Sequence, residues 1–307
     1  MHPDEEDPDV ARRNALSPIL STTETMPLAA TVHVECGACS HAGKVRDVNQ
    51  DHYLVMRLAR SQTTLATSLP RRDIPEDYNE FGYAMLLADG LGEQGPGAVA
   101  SRVAISTLAH LLLHFGKWNL RVDAAVAAEM LDRVEWFYRR VDEAVTNRGR
   151  SDPALDRMTT TLTAVWSFGD ELFLAHVGHS RVYLYRDGSL SQLTRDHTVE
   201  RRLVERPRPT PIRPVAQDLS HILTDTIGGG TSSNPVDVER FRLRSGDQIL
   251  MCTDGLTNLV SEDRIADILA LRRASDEQCR TLVDLALNAG GTDDVTVLLA
   301  QYEIPSA

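Results

Sequence analysis

Three apolar runs of strand character each meet an aspartate at one end, and this recurrence limits what the chain can fold into more than any other feature. Residues 81–92, FGYAMLLADGLG, carry no charge before Asp89, and Tyr83, Met85 and Leu87 alternate with Gly82, Ala84 and Leu86 as in a buried strand. Residues 248–256, QILMCTDGL, repeat the pattern and stop at Asp254 and Gly255, while in residues 290–299, GGTDDVTVLL, Asp293 and Asp294 stand just before a third run. A carboxylate delivered by a buried strand must be hydrogen-bonded or hold a cation, because an unpaired buried charge is too costly to keep. Gly90 and Gly92 allow a sharp turn and let a backbone carbonyl approach a ligand. Oxygen-only clusters suit hard divalent ions such as Mg²⁺ or Mn²⁺, whereas zinc usually takes His and Cys. The sequence therefore predicts a carboxylate metal site built from strand ends.

The chain has 307 residues, 42% of them hydrophobic and 25% charged, enough for one large globular domain or two small ones. A formal net charge of -12 argues against a nucleic-acid-binding surface, since phosphate backbones favour basic patches. By inspection no apolar run approaches a membrane span, and the start MHPDEEDPDV is acidic where a signal sequence is basic and apolar, so a cytoplasmic location away from membranes is expected. The four cysteines, Cys36, Cys39, Cys252 and Cys279, are too scattered for a disulfide framework. Cys36 and Cys39 form a C-x-x-C without the second pair a zinc site needs, so structural roles are expected, with Cys252 in strand core.

Residues 1–28, with clustered acids, four prolines and a Ser/Thr run, read as a flexible acidic tail ahead of one domain over 29–307. Strands are expected over 31–36 and 50–58, separated by the loop KVRDVN that carries Arg46 and leads to Asp51. Arg46 is either an oxyanion ligand, through its planar fork, or a surface ion-pair partner. Residues 59–80 read as a long connection or insert. Apolar residues recur at helical spacing over 97–115 and 122–145, and Trp136, Phe137 and Tyr138 on the second helix suit helix packing.

Residues 159–193 switch to strand patterns that end in a hairpin at Asp187 and Gly188. A helix is expected over 195–205, then a loop or flap region, about 197–230, containing the proline-dense RPRPTPIRP. Residues 238–243 and 248–253 look like paired strands, 262–271 and 276–289 like helices, and 295–302 like a closing strand. Strands and helices group without alternating strictly, which favours an α+β fold over a doubly wound sheet.

Seven segments, in order, then carry a resemblance: GKVRDVNQD from Gly43, LLADGLG from Leu86, MTTTLTA from Met158, HVGHSRVYLYRDG from His176, LTRDHTVERRLVE from Leu193, GDQILMCTDGLTNLV from Gly246 and GTDDVTV from Gly291. From about Val32 to Ile304 the chain resembles the metal-dependent protein serine/threonine phosphatases of the PP2C (PPM) family, bacterial type. The resemblance implies a four-layer α/β/β/α sandwich with two central antiparallel sheets and two Mn²⁺ or Mg²⁺ ions at one end. Asp89 then matches the carboxylate bridging both ions and Gly90 the backbone carbonyl ligand. Asp254 and Asp293 match the other ligands of the first ion, Asp51 the acid holding the second, and Arg46 the arginine that binds the substrate phosphate. Metal-activated water would attack phosphorus without a phospho-enzyme, making Arg46, Asp89 and Asp254 the catalytic set. The implied partners are phosphorylated Ser/Thr proteins, in particular a cognate Ser/Thr kinase or its substrates.

The chain also departs from that pattern. His179 stands where the family's G-D-S-R motif has Asp, a position the resemblance associates with a third, looser metal site. A neutral imidazole there gives either a weaker site or one for a softer ion such as Mn²⁺. His41, Glu93, Thr159, Asp225 and Asp294 also differ from the usual residues. Leu91 replaces a histidine of eukaryotic members that bacterial relatives commonly lack. These substitutions keep a second reading open, a PP2C-like docking or regulatory module in a kinase pathway. A metal-dependent nuclease is disfavoured by the acidic charge balance.

Overall fold

The computed structural model describes residues 31–70, 74, 76–92, 95–116, 124–204, 219, 222–230 and 235–305. The expected tail and the proline-dense stretch lie outside the described residues, as does Glu93. In chain order the elements are β1 (His33–His41), β2 (His52–Thr63), β3 (Asp77–Ala88), β4 (Gly90–Leu91), α1 (Pro96–Phe115) and α2 (Ala124–Arg150). After a 3₁₀ turn come β5 (Thr159–Thr160), β6 (Leu162–Phe168), β7 (Glu171–Val177), β8 (Arg181–Arg186), β9 (Ser189–Gln192), α3 (Val199–Val204) and β10 (Ile227–Gly228). The remainder is β11 (Asp237–Arg242), β12 (Gln248–Cys252), α4 (Asp254–Thr257), α5 (Glu262–Ala270), α6 (Ser275–Asn288) and β13 (Val295–Glu303).

The strands form two antiparallel five-stranded sheets, ordered β11-β7-β6-β3-β2 and β1-β13-β12-β8-β9, and a small sheet β10-β5-β4. Side-chain alternation then sorts the core into three slabs. Met85, Leu87, Val165, Leu172 and Leu174 of one sheet meet Ile249, Met251, Leu298 and Ala300 of the other. The opposite face of the first sheet, with Leu86, Ala88, Ala164, Ala175 and Val177, is covered by Ala100, Ala104 and Leu108 of α1 and by Phe137, Val141 and Val145 of α2. Leu250, Cys252, Val297 and Leu299 pack in the same way against Ile265, Leu269, Leu282 and Val283 of α5 and α6. This is an α+β fold, as the grouped elements favoured, and the α/β/β/α sandwich that the resemblance implied.

Tyr138 is buried and donates from its hydroxyl to the Ala175 carbonyl at 2.9 Å, while Trp136 packs edge-on to Phe115. The aromatic cluster of α2 thus serves helix packing. Cys36 and Cys39 lie on one strand and pack into different slabs, Cys36 between the sheets and Cys39 under the helices, so the C-x-x-C cannot form one site. Burial, reinforced by Glu35, pushes the Cys36 thiol up to about 11.

Several expectations need correction. The connection expected over 59–80 is shorter at both ends: β2 and β3 pair continuously from His52↔Ala88 to Thr63↔Asp77, so 59–63 and 77–80 are strand. The polar, charged composition that suggested an insert is that of an edge strand, whose far end is solvated. Residues 238–243 and 248–253 do not pair with each other; β11 pairs with β7 and β12 with β8 and β13, in opposite sheets. Five residues between them carry the chain across the sandwich, and proximity in sequence gave no warning of that crossing. The helix expected from 195 begins at Val199, because the preceding residues are held extended, with the His197 amide donating to the Gly178 carbonyl at 2.7 Å. Finally, α1 is long and apolar enough to cross a membrane by length and composition. Its Ala100, Ala104 and Leu108 face is nonetheless buried in the core described above.

Leu250 is fully buried beneath α5 and α6. Leu250→Ala is expected to destabilise the chain by about 2–5 kcal/mol, read as a lower urea midpoint with an unchanged slope.

Candidate metal centre

Antiparallel pairing decides where the singled-out residues go. In one sheet His52 pairs with Ala88, Leu87 with Thr163 and Leu162 with Val177, so the start of β2, the end of β3 and the end of β7 share one edge of the sandwich. In the other sheet Cys252 pairs with both Arg181 and Val297, which puts the end of β12 beside the starts of β8 and β13. Asp51 precedes β2, Asp89 follows β3, His179 joins β7 to β8, Asp254 follows β12 and Asp293 precedes β13. Arg46 lies in the loop before β2.

Asp89 is the centre. Its backbone is fully engaged: the amide donates to Thr161 Oγ1 at 2.9 Å, and the carbonyl accepts from the Thr161 amide at 2.9 Å and from Thr160 Oγ1 at 2.8 Å. The side chain is thereby left to project into the cluster. Its Oδ2 lies 3.9 Å from His179 Nδ1, and Asp254 Oδ2 lies 3.8 Å from His179 Nε2. Ligand atoms of Asp89, His179 and Asp254 all fall within 4.8 Å of one another. Asp254 opens α4 and accepts from Asn258 Nδ2 at 3.1 Å. Gly90 sits where a side chain would collide with the backbone of Gly97 and Gln50.

Asp51 is buried, and its Oδ2 accepts from Thr296 Oγ1 at 2.7 Å and Thr253 Oγ1 at 3.0 Å, both from the opposite sheet. Its Oδ1 has no hydrogen-bond partner. At the rim, Arg46 pairs through Nη2 with Asp293 Oδ1 at 2.7 Å and lies 3.4 Å from Asp294 Oδ2 through Nη1. Asp294 is buried and also accepts from the Gln50 amide at 3.0 Å.

The electrostatics follow from burying several acids together. Burial pushes Asp51 up to about 7, with Asp294 and Asp254 adding to the shift and the two threonine hydroxyls opposing it. Asp89 is held well above the ordinary carboxylate range by burial and then by the charges of Asp51, Asp254 and Asp293, with Arg46 opposing. Asp293 and Asp294 are raised chiefly by burial, and Arg46 lowers both. Such a cluster stores repulsion that a cation relieves.

Arg46, Asp51, Asp89, His179, Asp254 and Asp293 therefore gather at one end of the sandwich. What the sequence reading missed is their support: Thr160, Thr161, Thr253 and Thr296, which position Asp89 and Asp51. The motifs MTTTLTA, CTDG and TDDVTV contain them, and a threonine one residue from a strand boundary is the signal that could have found them. Asp225, a departure from the expected pattern, is held by Arg202 of α3 at 2.6 Å and by Thr224, and so has a structural partner of its own.

Comparison with known proteins agrees with this geometry. The profile described as Protein phosphatase 2C matches residues 63–286. Serine/threonine protein phosphatase PstP of Mycobacterium tuberculosis is 34% identical over 216 residues, 70% of this chain but 40% of that protein, so the chain spans less than half the length of that relative. Protein phosphatase PhpP of Streptococcus pneumoniae is 33% identical over 224 residues, 72% of this chain and 87% of that protein. The solved catalytic domain of PstP in complex with two manganese ions matches with a TM-score of 0.67 and 30% identity, over 89% of this chain and 99% of that one. A profile covering most of the chain, a relative matched over most of its length and a common architecture lead to one conclusion: the chain belongs to the protein phosphatase 2C family, bacterial type.

Proposed function

We propose that this chain is a metal-dependent protein phosphatase that hydrolyses phosphoserine and phosphothreonine in proteins. The observation that carries the reading is the convergence of Asp51, Asp89, Asp254 and Asp293 at one end of the sandwich with Arg46 at its rim. Buried Oδ1 atoms of Asp51 and Asp294 lack partners, and the donor set is mostly carboxylate oxygen, which fits hard divalent cations. Asp51, Asp89, the Gly90 carbonyl, Asp254 and Asp293 are the residues that would hold Mn²⁺ or Mg²⁺. Bound there, two such ions supply Lewis-acid polarisation of a phosphoryl oxygen and activation of a water nucleophile.

The protein's own groups do the rest. Arg46 is about one-third exposed, and Asp293 orients its guanidinium fork, leaving N–H groups free to bind the non-bridging oxygens of a phosphoryl group. That contact strengthens as charge builds on those oxygens, so it favours the transition state. Thr160 and Thr161 fix the Asp89 backbone, and Thr253 and Thr296 fix Asp51, so the acids are held in place before substrate arrives. In this reading the partner is a phosphorylated protein, specifically a Ser/Thr kinase or its substrates, in the cytoplasm. Four unpaired cysteines agree with a reducing compartment.

Initial rates on a phosphothreonine peptide test the reading. Hydrolysis is expected with Mn²⁺, absent with EDTA, and reduced about a hundredfold or more in Asp254→Ala. Arg46→Ala is expected to lower kcat/KM about 10- to 100-fold, the worth of a charge-assisted contact of roughly 1.5–3 kcal/mol. A native chain that binds Mn²⁺ yet leaves every phosphopeptide intact would point to a docking module.

Asp51 generates a pH prediction. Its folded value near 7 exceeds its ordinary 3.8, so between those values the native state binds more protons than the unfolded state. Stability of the metal-free protein must then fall as pH rises from about 4 to about 7 through this group. With EDTA, the melting temperature is expected to decline over that window more steeply in the native chain than in Asp51→Asn. Stabilisation by Mn²⁺ is expected to be larger at pH 7.5 than at pH 5.5, because fewer protons then compete with the cation.

A further inference from the structure

His179 is the chain's most informative departure from an all-oxygen site. Its position is rigidly determined. Gly178 has φ 123, a conformation side chains rarely adopt, and a Cβ there would strike Thr161. The Gly178 carbonyl accepts from the His197 amide at 2.7 Å, and Ser180 Oγ lies 3.1 Å from Thr161 Oγ1. The imidazole is only 7% exposed, and Nδ1 has no hydrogen-bond partner.

The distances to the two acids decide what the ring can be doing. At 3.9 Å from Asp89 Oδ2 and 3.8 Å from Asp254 Oδ2, its nitrogens are too far away to hydrogen-bond either carboxylate. Two donors on one ion, each bonded at about 2.0–2.2 Å, lie at most about 4.4 Å apart, and the 3.9 Å from Nδ1 to Asp89 Oδ2 falls inside that limit. The 3.8 Å contact to Asp254 is made by the other ring nitrogen, and a single ligand atom from each of Asp89, His179 and Asp254 lies within 4.8 Å of the other two. A buried Nδ1 without a hydrogen-bond partner, beside the Asp89 carboxylate and in a cluster that includes Asp254, is placed to share a cation with them.

We propose that His179 is a nitrogen ligand of the cation held by Asp89 and Asp254, so that this position selects a first-row transition ion, such as Mn²⁺ or Zn²⁺, over Mg²⁺. The inference rests on the reading of the cluster as a metal site and adds its selectivity. The cause is ligand chemistry: imidazole suits transition ions, while Mg²⁺ prefers oxygen and gives up water reluctantly. His179 thus belongs with Asp89 and Asp254 and does not mark a separate peripheral site.

Metal binding, read without catalysis, tests this. The metal-free chain would be loaded with less than one equivalent of Mn²⁺ and studied by pulsed electron paramagnetic resonance, and Mn²⁺, Zn²⁺ and Mg²⁺ affinities would be measured by calorimetry. The expected result is a directly coordinated ¹⁴N coupling in the native chain that disappears in His179→Asp. The ratio of Mn²⁺ to Mg²⁺ affinity should also fall at least about tenfold in that variant. Mn²⁺ bound without nitrogen coupling in the native chain, or the same affinity ratio in a folded His179→Asp, would overturn the inference and leave the proposed function standing. Failure of the native chain to bind any of the three ions would overturn both. The coupling is read on the native chain, so the test does not depend on the variant folding.

Discussion

The Asp51 carboxylate holds the working end of the molecule together. It stands at the start of β2 in one sheet, while its two hydroxyl donors, Thr253 and Thr296, belong to β12 and β13 surroundings in the other. The threonines are themselves linked, since the Thr296 amide donates to Thr253 Oγ1 at 3.0 Å. Ser40 at the end of β1 joins the chain through Thr296 Oγ1 at 2.7 Å. Elsewhere the sheets meet mainly through apolar side chains, which fill space without fixing a register, with one further directional contact from the Tyr302 hydroxyl to Ser167 Oγ at 3.1 Å. A directional network at one edge supplies that register where the acids must be placed accurately.

The same end is where the fold works against its own stability. Asp51, Asp89 and Asp294 are buried near one another and near Asp254 and Asp293, and Arg46 is the cation that the described ion pairs set against Asp293 and Asp294. Each unsatisfied buried acceptor costs about 1–3 kcal/mol. The three apolar slabs offset that cost, and the distribution is typical of functional sites, which break local rules that the scaffold obeys elsewhere. Arg46 is the counter-charge for Asp293 and Asp294 in the resting protein, and in the proposed function it is also the group that would meet phosphate. Its tether to a buried acid is a consequence of Asp294.

Much of the fold was legible because its signals are local. Alternating apolar residues at 81–88 and 248–252 mark strands whether or not their partners are known, and helical spacing at 97–115 marks α1. Errors arose where tertiary context overrides local pattern. The far end of β2 is polar because it is an edge, and it was read as an insert. Strands β11 and β12 are neighbours in sequence, yet the chain crosses between sheets in five residues, and nothing in either strand encodes its partner. Residues 195–198 have helix-compatible composition, but hydrogen bonds to Gly178 hold them extended.

For the site, sequence alone determined the chemistry of the parts: which acids end strands, which arginine sits in a loop, and that oxygen donors dominate. Those properties reside in residue type and local period, which survive without knowledge of distant contacts. Only the tertiary structure decided that Asp51 is satisfied on one oxygen and orphaned on the other, that Arg46 is shared between Asp293 and Asp294, and that His179 faces Asp89 and Asp254. Those are distances between residues as far as 248 positions apart in the chain, and they exist only once antiparallel pairing has brought the strand ends to one edge.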